Sequence, residues 1–101
     1  MNISITSRKF KARDILKDYI IEEVKSLEKF NDRIMSADVI LSYQNTRDSI
    51  KIAEILVQVP GQILKATEQS DDYKKSVSAA VEKISRQLQK IKTKNINRKR
   101  A

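Results

Sequence analysis

The chain of 101 residues contains neither cysteine nor histidine, and this excludes several kinds of chemistry. A disulfide framework is impossible without cysteine. A structural zinc site needs Cys or His ligands. Nucleophilic or acid–base catalysis centred on Cys or His is excluded for the same reason. We therefore expect a protein that is not an enzyme and that has no metal ion and no cofactor.

Glycine and proline are scarce, with one residue of each, and the longest uninterrupted apolar run is three residues. A glycine-rich phosphate-binding loop needs several glycines, so a chain with one glycine cannot form it. So short an apolar run predicts neither a membrane-spanning helix nor a signal-peptide core. No linker and no internal repeat divides the chain. We expect one cytoplasmic domain over residues 1–94, followed by a basic, flexible tail over residues 95–101.

The whole chain has a formal net charge of +8, and the positive charge is concentrated in its last third. Residues 71–101 carry ten basic and three acidic side chains, whereas residues 1–70 carry eleven and ten. Such an imbalance is typical of an anion-binding surface. A solvated, lysine-rich end of the chain is the alternative, and charge alone does not decide between them.

Alternation of apolar and polar residues predicts four strands, over residues 2–7, 35–43, 50–59 and 63–68. The polar segment 44–49 and the Pro60–Gly61 pair are predicted to be the connections between the later strands. The side chains expected to face a core are Ile3, Ile5, Met35, Ala37, Val39, Leu41, Tyr43, Ala53, Ile55, Val57 and Val59.

Apolar residues spaced three and four apart predict two amphipathic helices. The first covers about residues 12–30. The second begins after Asp71 or Asp72, one of which is expected to cap it, and frays near residue 94. Adjacent carboxylates at a helix start point in different directions, so capping explains this pair better than catalysis does. The apolar stripe of the second helix contains Tyr73, Val77, Ala80, Val81, Ile84, Leu88 and Ile91.

The resulting order, β-α-β-β-β-α, defines an α+β fold. Because each helix has one apolar face, both helices are predicted to pack on one face of a four-stranded sheet. The other face of the sheet is expected to be polar, although Ile52 and Leu56 interrupt the polar pattern.

The second helix carries the most specific functional signal. At about 100° per residue, its basic side aligns Lys83, Arg86, Lys90 and Lys94 about 120° from the apolar stripe. Lys75 flanks the stripe nearer the helix start. Basic side chains arranged in this way can follow a phosphate backbone.

Surface lysines often serve solubility alone, but a face of that kind usually mixes charges and forms i,i+4 ion pairs. Glu82 is the only acidic residue between Lys74 and Ala101, which favours a nucleic-acid surface. Aromatic residues make up 5% of the chain, and no strand carries interleaved Phe or Tyr. Base stacking on the sheet is therefore not expected, and recognition of the backbone of structured RNA fits best.

Several short motifs occur in a fixed order between residues 2 and about 94. They are ISITSRKF at 3–10, SLEKF at 26–30, VILS at 39–42, AE at 53–54, VPG at 59–61, DDY at 71–73 and KISRQLQK at 83–90. In this order and spacing the chain resembles the ribosome hibernation promoting factor / ribosome-associated inhibitor A family, in its short, single-domain form.

The resemblance implies a layout related to double-stranded-RNA-binding domains. It also implies binding to the small ribosomal subunit, through its rRNA and neighbouring ribosomal proteins, in the channel for mRNA and the A- and P-site tRNAs. Such a protein inhibits translation under stress or in stationary phase, with no membrane and no small-molecule substrate involved. The matching basic positions are Lys83, Arg86, Lys90, Lys29 and Arg8, to which charge and geometry add Lys25, Lys75 and Lys94.

A protein-interaction module of the sigma-factor modulator type is the alternative function. It would bind a transcription regulator through a face containing Ile40, Ile52 and Leu56. The RNA hypothesis requires that the lysines and the arginine on the basic side of the second helix are neither neutralised by the protein's own carboxylates nor covered by another element, and it fails if they are.

Overall fold

A four-stranded sheet and two helices form two layers in this computed structural model. The structure describes the backbone of residues 1–44 and 50–100 and the side chains of residues 1–44 and 50–91. The elements are β1 (Asn2–Ser7), α1 (Asp14–Lys25), a 3₁₀ turn (Ser26–Lys29), β2 (Ser36–Gln44), β3 (Ile50–Val59), β4 (Gln62–Ser70) and α2 (Tyr73–Arg100). The predicted order β-α-β-β-β-α is confirmed.

The strands lie in the order β1-β2-β3-β4, so β1 and β4 are the two edges of the sheet. β1 is parallel to β2, and the other neighbouring strands are antiparallel. Parallel neighbours need a long crossover, which α1 supplies. The register aligns Ile5, Val39, Ile55 and Ala66 across the sheet, and the last three are buried. Alternation along each strand therefore defines one face that the helices cover.

The core lies between this face and the two helices. Its fully buried large side chains include Ile20, Val24, Leu27, Val39, Leu41, Ile55, Val57, Val77, Ile84 and Leu88. Burying one such side chain contributes roughly 1.5–3 kcal/mol relative to leaving it in water. Two predicted core residues of the second strand are not in this set, since Met35 is 57% exposed and Tyr43 is 38% exposed. Met35 precedes β2, and the Tyr43 ring packs edge-on against Phe10 rather than in the core.

The first helix is shorter than predicted, because its α-helical part ends at Lys25 and a 3₁₀ turn follows. The Ser26 hydroxyl donates a hydrogen bond to the Glu23 carbonyl oxygen at 2.6 Å. A serine that bonds a carbonyl of the preceding turn competes with the helical hydrogen bonds. This contact accounts for the change of helix type at Ser26.

The start of α2 is fixed by two polar residues. Asp72 is the capping residue, because its Oδ1 accepts a hydrogen bond of 2.9 Å from the backbone N–H of Lys74. Ser76 is fully buried, and its hydroxyl donates to the Lys51 carbonyl oxygen at 2.8 Å. The same hydroxyl lies 2.8 Å from that of Ser70 at the end of β4. Sequence periodicity gave no indication of this contact between α2 and the sheet.

The connection between β3 and β4 is the predicted Pro60–Gly61 turn. Gly61 has φ +87°, and a proline followed by a residue of positive φ is the pattern of a type II turn. The predicted connection over 44–49 includes Gln44, which belongs to β2, and residues 45–49, which lie outside the described part. The division at residue 94 into a domain and a tail stays a prediction.

The face of the sheet away from the helices is less polar than expected. Ile40, Ile52 and Leu56 are each half-buried there, and Ile63 of β4 is 58% exposed. We call this surface the open sheet face. Within the part of the chain that the structure describes, no helix is long and apolar enough to cross a membrane.

Candidate nucleic-acid interface

The basic side of α2 consists of Lys83, Arg86 and Lys90, and all three side chains are exposed. Helical geometry turns them away from Val77, Ile84 and Leu88, which are fully buried against the sheet. Lys94, the fourth predicted member, lies outside the residues whose side chains are described.

Two of these three cations are paired with carboxylates of the protein itself. Lys83 Nζ lies 2.7 Å from Glu68 Oε1 on β4, and Arg86 Nη2 lies 2.7 Å from Glu82 Oε1 on α2. Lys90 has no ion-pair partner among residues 1–44 and 50–91. Of these three cations, Lys90 therefore meets the requirement of the RNA hypothesis, and Lys83 and Arg86 do not.

The i,i+4 ion pairs that are typical of a solvated, lysine-rich face do occur in α2 and at its start. Arg86 and Glu82 form one such pair, and Lys75 forms another with Asp71, at 3.3 Å between Nζ and Oδ1. The glutamate at 82 was visible in the sequence, four residues before Arg86, so spacing alone could have predicted this contact. These pairs lower the positive potential of the helix, since each places a negative charge beside a cation.

The ion pairs on α2 are weak enough to exchange for contacts with an external anion. The Lys83 side chain is 51% exposed and that of Arg86 is 69% exposed. A pair that is exposed on both sides, such as Arg86–Glu82, contributes about 0–1 kcal/mol because water and salt screen it. The Lys83–Glu68 pair is screened less, because the Glu68 side chain is 27% exposed. A phosphate group can therefore take the place of either carboxylate, although the displaced carboxylate stays close by.

Two contacts hold the basic side of α2 against the edge strand β4. One is the Lys83–Glu68 ion pair, and the other is a hydrogen bond of 3.1 Å from Gln87 Nε2 to the Lys65 carbonyl oxygen. Lys65 itself pairs with Glu54 at 3.3 Å on the open sheet face. The basic side of α2 thus runs along one edge of the sheet.

The predicted residues on the first helix lie in the same layer as α2. Lys25 ends α1, Lys29 ends the 3₁₀ turn, and both side chains are exposed. No hydrogen bond or ion pair in the described part of the chain links them to the basic side of α2. Lys25 and Lys29 therefore lie on the helical side of the molecule without direct contact to the basic side of α2 in the described part of the chain.

Arg8 lies at the other edge of the sheet. It follows β1, and its backbone N–H donates to the Leu41 carbonyl oxygen at 2.9 Å. Three strand spacings of about 4.8 Å separate the two edges, or about 14 Å. Since Lys83 is held at β4, the structure does not bring Arg8 and the basic side of α2 together.

A polar contact joins the two helices. The hydroxyls of Tyr19 and Ser78 both donate to Glu23 Oε1, at 2.9 and 2.6 Å, and are themselves in contact. The Lys74 ammonium lies 5.4 Å from the centre of the Tyr19 ring. The hydrogen bond with Ser78 lowers the pKa of Tyr19, but burial and Glu23 raise it by more. The pKa of Tyr19 therefore lies above its ordinary value of 10.0. Tyr19 is therefore half-buried and links the two helices.

A cluster of aromatic rings that sequence patterns missed lies at the start of α2. The rings of Phe10 and Tyr73 stack with centroids 5.1 Å apart, and Tyr43 meets Phe10 edge-on at 6.0 Å. Lys51 Nζ lies 5.7 and 5.8 Å from the two tyrosine rings. Tyr73 donates its hydroxyl to the Ser42 carbonyl oxygen at 2.9 Å, and burial raises its pKa. Tyr43 and Lys51 are paired in the register of β2 and β3, which brings the Lys51 ammonium to this cluster.

Comparison with known proteins places these features in a family. The profile of the family described as Sigma 54 modulation protein / S30EA ribosomal protein matches residues 3–96. The chain belongs to this family. A member from Azotobacter vinelandii, named ribosome hibernation promoting factor, is 31% identical over 98 residues, covering 97% of this chain and 89% of the relative.

The relatives of this chain differ in length. The ribosome hibernation promotion factor of Deinococcus radiodurans is 29% identical over 91 residues, which are 88% of this chain and 48% of the relative. A solved ribosomal subunit interface protein from Coxiella burnetii superposes with a TM-score of 0.83 at 25% identity, covering 92% of this chain and 99% of that one. The chain thus shares its fold with this solved protein.

Proposed function

We propose that this chain is a ribosome hibernation factor that binds the small ribosomal subunit through the basic side of α2. It acts in the cytoplasm by occupying the channel for mRNA and the A- and P-site tRNAs under stress or in stationary phase. The action is steric, with no catalytic turnover. The observation that supports this proposal is the match of residues 3–96 to the family profile, together with 31% identity over 98 residues to a protein named ribosome hibernation promoting factor.

Charge supports rRNA as the main partner, with neighbouring ribosomal proteins completing the site. Cations that neutralise phosphates release counterions from the RNA, and this release drives binding without reading bases. The exposed basic side of α2 suits such contacts, and its opposite, apolar side is held by the sheet.

The proposed contacts differ in strength. Lys90 binds phosphate directly because no carboxylate of the described residues competes for it. Lys83 and Arg86 bind after exchanging Glu68 and Glu82 for phosphates. Additional contacts from the same helical layer come from Lys25, Lys29, Lys75 and Lys94, while Arg8 makes a separate contact at the far edge.

Charge reversal on α2 tests the proposal. The variant K83E/R86E/K90E should lose co-sedimentation with small subunits while its circular dichroism stays that of the wild type. The matched control is K11E/R13E/R33E, which changes net charge equally at exposed residues away from α2. Wild-type binding by the α2 variant would refute this surface.

A protein-interaction module remains a second candidate, favoured by one observation. The open sheet face exposes Ile63 and leaves Ile40, Ile52 and Leu56 half-buried, with no covering layer from the described residues. RNase treatment of a lysate separates the two functions. Release of the protein from heavy complexes supports ribosome binding, whereas retention on a protein partner supports the module.

A further inference from the structure

The carboxylates of Glu68 and Glu82 face the very cations that the proposed function assigns to RNA. We propose that these two residues determine specificity, by holding Lys83 and Arg86 in the free protein and so penalising RNA that is not folded to fit the surface. This inference rests on the proposed function, because it names two residues that restrict which RNA the basic side of α2 binds.

Glu68 opposes RNA binding more strongly than Glu82 does. It is on β4, its side chain is only 27% exposed, and it contacts Lys83 across the gap between sheet and helix. A phosphate that binds Lys83 comes close to this carboxylate, and like charges placed together oppose binding. Because the carboxylate is largely covered, salt screens this repulsion less than it would at a fully exposed site.

Glu82 acts in the same direction with a smaller effect. Its side chain is 63% exposed and lies one helical turn before Arg86 on α2. Solvent and salt screen its charge more than that of Glu68. The structure therefore predicts an order, with Glu68 opposing RNA more strongly than Glu82.

The penalty falls unequally on different RNAs. A flexible single strand contacts the basic side of α2 with a few phosphates at a time. Each phosphate that lies near Glu68 or Glu82 therefore weakens binding, and no other contact compensates for the loss. A folded RNA surface holds its phosphates and 2′-hydroxyl donors in fixed positions, so a hydroxyl can lie at the displaced carboxylate while phosphates reach the cations. Discrimination of this kind arises from repulsion of the wrong partner as well as attraction to the right one.

The chain contains a matched control for Glu68. Glu54 pairs with Lys65 at 3.3 Å, and its side chain is 28% exposed, close to the value for Glu68. This pair lies on the open sheet face rather than on the basic side of α2. The variant E54Q therefore removes the same charge from a similar ion pair at a different surface.

The test measures binding of the wild type, E54Q, E68Q and E82Q to poly(U) RNA and to isolated small subunits, at about 100 mM KCl. We expect E68Q to bind poly(U) about fivefold more tightly than the wild type and E82Q about twofold, with smaller gains on small subunits. The control E54Q should match the wild type on both. Circular dichroism of each variant confirms that the fold is retained.

Two outcomes would overturn the inference. One is an E68Q variant that behaves like E54Q on poly(U), and the other is an equal gain on poly(U) and small subunits, which makes the carboxylates regulators of affinity only. A wild-type chain that does not bind small subunits overturns the proposed function itself. That result is distinct because it appears before any glutamate is changed.

Discussion

Lys83 Nζ lies 2.7 Å from Glu68 Oε1, so one ion pair connects the basic side of α2 to the edge strand β4. The contact fixes where the lysine lies, beside the sheet rather than free in solvent. It also places a negative charge within a surface whose proposed partner is polyanionic. The effects of substitutions on this helix should therefore depend on whether each cation has a partner.

Lys90 should contribute more to subunit binding than Lys83. Lys90 has no ion-pair partner among the side chains described, whereas Lys83 must leave Glu68 to bind phosphate. We expect K90A to weaken binding about fivefold and K83A about twofold, in a sedimentation or fluorescence titration. Lys65→Ala on the open sheet face is the control and should leave binding unchanged. A larger loss for K83A than for K90A would contradict the assignment.

Binding to small subunits should depend steeply on salt. If about six phosphates are contacted, with a slope of about −0.7 for each, affinity falls by two to three decades between roughly 50 and 200 mM salt. The variant K90A should have a slope about 0.7 shallower than the wild type. The measurement is a series of binding titrations at increasing KCl. A flat response is inconsistent with contacts to phosphate.

Ser76 should stabilise the fold although it is polar. It is fully buried, and its hydroxyl is shared between the Lys51 carbonyl and Ser70. The variant S76A leaves these groups without that partner, and we expect the free energy of unfolding to fall by about 1–3 kcal/mol. Ser85, whose hydroxyl bonds Glu82 of the same helix at an exposed position, supplies the control. Urea denaturation should place S85A near the wild type.

Tyr73 should make stability sensitive to alkaline pH. Burial raises its pKa above the ordinary value of 10.0, so the folded chain favours the neutral phenol. This contribution is complete below the pKa of the unfolded chain and is lost as pH rises through the folded value. Absorbance of tyrosinate should show ionisation delayed in the folded protein relative to urea-unfolded protein.

The variant Y73F supplies the comparison for that titration. Phenylalanine keeps the stack on Phe10 but has no ionisable hydroxyl. The decrease in the free energy of unfolding above pH 10 should therefore be smaller in Y73F than in the wild type. An equal decrease in both chains would mean that another group, such as Tyr19, whose pKa is also raised, accounts for it.

The strands of the sheet were predictable because their side chains alternate between faces. Ala53, Ile55, Val57 and Val59 follow that rule throughout β3, and all four are buried. Met35 fits the same alternation but is 57% exposed. Periodicity specifies a face and not the limits of the layer that covers it, so strand ends are where such predictions fail.

The contacts of the candidate site could be predicted only in part. The pair of Arg86 with Glu82 follows from spacing along one helix. The pair of Lys83 with Glu68 depends on how α2 lies across β4, which no local pattern determines. The buried hydroxyl of Ser76 depends on the same packing. Helix geometry thus identified the exposed cations, while tertiary structure decided which of them are paired.

The parallel pairing of β1 with β2 bears on the path by which the chain folds. β3 and β4 are joined by a two-residue turn and can meet early, but residue 2 pairs with residue 36 only after the intervening chain has closed a long loop. Closing such a loop costs entropy before any contact compensates for it. The N-terminal strand should therefore dock late, and amide hydrogens of β1 should gain protection from exchange after those of the β3–β4 hairpin.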